Sequence, residues 1–143
     1  FTAARVKETI NAGDLVPEFL TNALVVRELV EQLTPANTLI LDGYPRNRAQ
    51  AAVLEEVLTF YQRPELTVLF LDTPDAVLKE RMLGRGRADD TEAAITERLR
   101  LYHEVTTPLL DYYRARPGTN FHTIPGDQSV DAVAAAIGAA LDL

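Results

Sequence analysis

The stretch Leu66 to Asp72, LTVLFLD, constrains the fold of this chain more than any other. It is apolar at nearly every position and of strand length, which predicts a β-strand covered on both faces, the habit of strands in parallel sheets. A second apolar run, Thr38 to Asp42, predicts another such strand, and NFHTI, Asn120 to Ile124, predicts the last. Segments of helical period alternate with these runs, so the chain reads as α/β, a parallel sheet wrapped by helices. In such folds ligands gather beyond the carboxyl ends of the strands. Those ends carry the unusual residues: Asp42 and Gly43, then Asp72 and Thr73, then Pro125, Gly126 and Asp127.

Local punctuation bounds the helices. Gly13 stops a helix that begins near Thr2, and Pro17 suits the first turn of a second, which runs to about Leu33 with Leu20, Leu24, Val30 and Leu33 as its apolar stripe. Asn47 to Tyr61 keeps helical spacing through Val53, Leu54, Val57 and Leu58. Pro74 opens a helix to about Arg85. A long helix spans about Thr91 to Arg116 with a bend at Pro108, and Ser129 caps a last one from Val130 to about Leu141.

With 143 residues, 47% of them apolar, the chain holds enough for one domain with a core. No apolar run is long enough to cross a bilayer, and nothing near Phe1 has the basic, apolar, small-residue order of a secretory leader, so cytoplasm is the expected compartment. Cysteine is absent, which excludes disulfides and thiolate metal sites, and His103 and His122 are too few for a histidine-rich one. A net charge of −7 argues against a nucleic-acid polymer as partner. Against this acidic background Arg81, Arg85, Arg87, Arg98 and Arg100 cluster, which leaves room for a local anion site.

Two features carry chemistry. Asp42, closing a strand, suits a carboxylate that holds Mg²⁺ through its water shell, or equally an acid capping the next turn. The arginines suit bidentate phosphate contacts, with Arg81 and Arg85 one helical turn apart on a shared face. They suit equally a solvated helix face paired with Glu80, Asp89, Asp90 and Glu97. His103, His122, Tyr102, Tyr112 and Tyr113 read as packing or surface residues.

Three pieces in order are more specific than any of these alone: LILDGYPRNRAQ (Leu39–Gln50), LFLDTPDAVLKERMLGRGRADD (Leu69–Asp90) and ITERLRLYHEVTTPLLDYY (Ile95–Tyr113), followed by a glycine loop and a final helix. From about Arg5 onward the chain resembles the adenylate kinases within the nucleoside monophosphate kinases, of the short-lid type. The resemblance implies a three-layer sheet of the P-loop NTPase type, and reversible phosphoryl transfer from MgATP to AMP giving two ADP. It implies that Arg46, Arg85, Arg87 and Arg98 are catalytic. Leu15, Val16, Gly43, Arg46, Gln50, Arg87 and Arg98 would meet AMP, and Arg81, Arg85, Gly126, Asp127 and Gln128 would meet ATP. Asp42 would anchor the hydrated Mg²⁺. Residues 1–35 would form part of the helical segment that binds the monophosphate, and residues 36–143 the core domain, with a lid loop at 84–91. A monomer without nucleic-acid or membrane partners is expected.

The sequence departs from that family in one respect. It has no G-x-x-x-x-G-K-[ST] loop, and the family's central first strand, which would separate Thr38–Asp42 from Leu66–Asp72, is missing from this chain. The sole methionine is Met82. The expectation is a genuine kinase whose N-terminal segment lies outside this sequence. The alternatives are a truncated, non-catalytic nucleotide-binding fragment and a sister kinase acting on UMP or CMP. This stretch alone is expected to be inactive.

Overall fold

A computed structural model describes residues 1–87 and 89–143. Ala88, inside the expected lid loop, lies outside the described residues. The chain runs α1 (Thr2–Ala12), α2 (Glu18–Gln32), α3 (Arg48–Phe60), β1 (Leu66–Asp72), α4 (Asp75–Gly84), α5 (Glu92–Leu101), a π-helical turn (Tyr102–Thr106), α6 (Thr107–Ala115), β2 (Thr119–Pro125) and α7 (Val130–Ala140).

Helix ends fall where short polar side chains can take up the first unpaired amides. Asn47 caps α3 by accepting from the Gln50 amide, Thr91 caps α5 from Ala94, and Ser129 caps α7 from Ala132. Gly13 ends α1 as expected. The long helix from Thr91 is divided in three. Pro108 has no amide to give the Glu104 carbonyl, and the chain passes through the π turn immediately before it, where Thr107 N–H and Thr107 Oγ1 both donate to the Tyr102 carbonyl.

β1 and β2 pair in parallel, in register from Leu66 opposite Thr119 to Asp72 opposite Pro125. Two apolar clusters share Leu66. In one, Tyr44, Leu54 and Leu58 gather Val25, Leu39 and Leu41. In the other, Ala51, Leu109 and Tyr113 pack on Val68, Tyr112 and Phe121. These clusters place α3 and α6 against the strands, while α7 packs against β2 and α1 and α4 pack against α5.

Three expectations are corrected. Thr38–Asp42 is not a strand: it runs as irregular chain with Leu39 and Leu41 turned into the core and Ile40 84% exposed. A strand needs a partner for its backbone groups, and among the described residues the segment has none in the sheet. β1 is only partly covered, since Thr67 is exposed and Leu71 is 48% exposed. In α2 the buried residue is Leu29, while Leu24 and Val30 of the expected stripe face outward. The helix leans on α3 over a narrow seam, so only part of its apolar set is hidden.

Candidate active site

The turn after Leu41 is built by its own hydrogen bonds. Gly43 sits at φ 69°, a left-handed conformation that costs glycine nothing, and a Cβ there would lie 2.9 Å from Arg46 Nη2. The space is used by Arg46, whose Nε donates to the Gly43 carbonyl at 2.8 Å. The Arg46 amide donates to Gln50 Oε1 at 2.7 Å, and the Gln50 amide to Asn47 Oδ1 at 2.9 Å. Gly43, Arg46 and Gln50, grouped in the sequence reading, therefore form one cluster. Asp42 stands exposed at its entrance.

Residues outside the quoted motif hold this turn in place. Tyr44 Oη donates to Asn22 Oδ1 at 2.9 Å, and Asn47 Nδ2 to Glu18 Oε1 at 2.9 Å, which fastens the turn to α2. Thr106 Oγ1 donates to the Arg46 carbonyl at 3.1 Å from the π turn. Arg48 lies with its guanidinium carbon 3.3 Å from the centre of the Tyr112 ring, a cation–π contact that joins α3 to α6. Sequence reasoning missed Glu18, Asn22 and Thr106, because each meets the turn only through the fold. Leu15 and Val16 are half-buried in the α1–α2 loop.

Arg81 is spent on backbone. Its Nη1 donates to the Gly126 carbonyl at 2.6 Å and its Nη2 to the Gln128 carbonyl at 3.1 Å, clasping the loop after β2 to the last turn of α4. Gly126 is buried against the end of β1, its amide donating to the Asp72 carbonyl at 2.7 Å, and a Cβ would collide with Thr73 Oγ1. Asp127 lines a cleft of about 270 Å³ with Asp72, Pro74, Thr123 and Pro125.

Arg85 and Arg98 come together on the acids of the lid turn. Arg85 makes a bidentate pair with Asp90, Nε to Oδ2 at 2.5 Å and Nη2 to Oδ1 at 2.7 Å. Arg98 Nη1 shares that Oδ1 at 2.9 Å, while its Nη2 bonds Asp89 and also reaches the Ile10 carbonyl at 3.3 Å. The Arg85 guanidinium first, with Arg98 adding to it, holds the Asp90 carboxyl far below the usual carboxylate range. Arg98 lowers Asp89 in the same sense, and Asp90 in turn raises Arg85. Arg87 is exposed on the turn, and its carbonyl accepts from the Asp90 amide at 3.0 Å. Of the acids named as partners for these arginines, Asp89 and Asp90 serve the cluster, whereas Glu97 pairs with Arg100 on the outer face. Among the described residues no hydrogen bond joins the Arg46 turn to the Arg85–Arg98 cluster, and no group of three or more acids or histidines forms a metal cage.

A parallel α/β fold with Arg81 and Gly126 beyond its strand ends, an arginine-bearing glycine turn and an arginine cluster on the lid turn has the makings of a site for phosphate-bearing ligands. The adenylate kinase family model matches residues 2–117, and the chain belongs to the adenylate kinase family. Among curated relatives it is 40% identical over 126 residues to an adenylate kinase of Leuconostoc mesenteroides, covering 88% of this chain and 66% of that protein. It is 43% identical over 129 residues to adenylate kinase 1 of a Nostoc species, covering 90% and 68%. To the adenylate kinase of a Synechococcus species it is 48% identical over 109 residues, covering 75% and 57%. The chain thus spans between 57% and 68% of the length of these relatives.

Proposed function

We propose that the protein carrying this chain catalyses reversible phosphoryl transfer from MgATP to AMP, giving two ADP. Family membership supports the reaction class. The observation that carries the reading is the convergence of Arg85 and Arg98, from separate helices, on the lid-turn carboxylates, so that two permanently charged forks stand side by side.

In this reading AMP lies on the Arg46 turn. The Arg46 guanidinium spends Nε on Gly43 and keeps both Nη groups for the acceptor phosphate. Gln50 and the Leu15–Val16 loop face the base. The loop Gly126–Asp127–Gln128, held by Arg81, contacts the base of ATP through its main chain. Arg85, Arg87 and Arg98 surround the transferring phosphoryl, where charge spread over its oxygens is stabilised and water is kept out. No covalent intermediate is needed: the residues hold two anions in line and lower their mutual repulsion. Asp42, an exposed carboxylate at the head of the turn, fits a hydrated Mg²⁺, which takes few protein oxygens and would supply charge neutralisation when bound. The protein is a cytoplasmic monomer in this reading.

The test is ADP formation by the purified full-length protein that carries this chain, from MgATP with AMP, UMP or CMP as acceptor. AMP is expected to be the best acceptor. A preference for UMP or CMP would move the reading to a sister kinase, and no ADP with any acceptor would refute it.

A further inference from the structure

Threonine in a helix ordinarily returns its hydroxyl to the carbonyl one turn back. Thr9, Thr21 and Thr96 do so, each to the residue four before it. Thr106 behaves differently. Its acceptor by that rule is the Tyr102 carbonyl, and the π turn gives this oxygen to the amide and the hydroxyl of Thr107 instead. The displaced hydroxyl leaves its own helix and donates to the Arg46 carbonyl at 3.1 Å. That carbonyl precedes the Asn47 cap, so α3 offers it no amide, and among the described residues Thr106 is its one donor.

The bond falls on the residue that carries the fork. The Arg46 amide is held by Gln50 Oε1 at 2.7 Å and the carbonyl by Thr106. The peptide planes on both sides of the Arg46 Cα are thereby fixed, and with them the direction in which its side chain leaves the turn. Arg98 lies on α5, about two turns before Thr106 in one helical run. We infer that Thr106 is a positioning residue of the acceptor site, its hydroxyl setting the Arg46 guanidinium at a fixed distance from the helical run that carries Arg98. This deepens the kinase reading above and rests on it. An acceptor phosphate on Arg46 is aligned through this bond with the phosphoryl beside Arg98, where a small misplacement costs most.

The experiment uses the full-length protein that carries this chain and compares wild type, Thr106→Val and Thr106→Ser in ADP formation, then repeats Thr106→Val in an Arg46→Ala background. Valine has the shape of threonine without the hydroxyl. In Thr106→Val, kcat/KM for AMP should fall about 10- to 100-fold, between the loss of one hydrogen bond and about an ångström of misplacement. KM for ATP should stay within about twofold. Thr106→Ser restores the donor and should recover most of the loss. If valine unsettles the π turn in a thermal melt, Thr106→Ala takes its place, since serine and alanine differ by the hydroxyl alone. In the Arg46→Ala background Thr106→Val should add less than about twofold, because no fork is left to position. Wild-type kinetics in Thr106→Val, a serine variant as impaired as the valine one, or a loss that persists undiminished without the Arg46 side chain overturns the inference alone. Absence of turnover in the wild type overturns the kinase reading and this inference with it.

Discussion

Replacing Arg46 with alanine removes one fork and little else. The backbone bonds that shape the turn, Arg46 N–H to Gln50 and Thr106 to the Arg46 carbonyl, do not involve the side chain. Among the described residues the only side-chain bond lost is the exposed one from Nε to Gly43, so the melting temperature should hardly move. What goes is the pair of Nη groups offered to the acceptor phosphate. Hydrogen bonds to charged groups are worth about 1.5–3 kcal/mol each, and two of them, discounted for an open site, give about 3 kcal/mol. That corresponds to about 10²-fold in affinity. Initial rates against AMP at saturating MgATP should show KM for AMP raised by about that factor with turnover reduced, while KM for ATP stays within about threefold. Arg46→Lys should fall between, since it keeps the charge and loses the fork. Unchanged AMP kinetics, or an equal rise in KM for both nucleotides, would refute the placement of AMP on this turn.

Further expectations concern stability. Ile95 is fully buried at 0% exposure, so Ile95→Ala should cost about 2–5 kcal/mol in denaturant unfolding. The Tyr113 hydroxyl is buried without a hydrogen-bond partner among the described residues, and Tyr113→Phe should be neutral or stabilising in a thermal melt. Burial pushes the Tyr113 phenol up to about 12, so the folded state holds a proton that the unfolded state releases near 10.0. Wild-type stability should therefore decline over that interval as pH rises, and Tyr113→Phe should flatten the decline. Asp89 and Asp90 are shifted the other way. Folded, they bind fewer protons than unfolded, so their pairing with Arg85 and Arg98 is at full strength above the ordinary value of 3.8 and drains as pH falls below it. The melting temperature should fall as pH drops from about 5 to about 2, and fall less steeply in Asp90→Asn, which has no carboxylate to protonate.

What could be read from the sequence was local. Asn47, Thr91 and Ser129 announce helix starts because a cap acts on amides two or three residues away, and Pro108 announces a break for a similarly local reason. The Gly43–Gln50 turn belongs to the same class, since its bonds close within eight residues. Thr38–Asp42 failed as a strand because an apolar run specifies burial, which Leu39 and Leu41 achieve, but cannot specify a pairing partner. Leu24 and Val30 failed as core because helical spacing marks a stripe without saying how wide a neighbour will cover it. For the arginines the sequence left two readings open, an anion site and an acid-paired face; the structure shows the pairing of Asp89 and Asp90 with Arg85 and Arg98, and the anion site belongs to the proposal.

The fastening of the turn to α2 makes that helix a lever. Tyr44 and Asn47 flank Arg46, and their anchors Asn22 and Glu18 lie one helical turn apart near the start of α2. The helix's buried residue, Leu29, sits toward the other end and serves as fulcrum. At a rise of about 1.5 Å per residue, a tilt of about 10° about Leu29 carries Glu18 by about 3 Å, more than a hydrogen bond can stretch. The turn must then travel with α2 or let go of it. A weight hung on the open side of α2 far from Leu29, at exposed Phe19, consequently pulls on Arg46 without touching it.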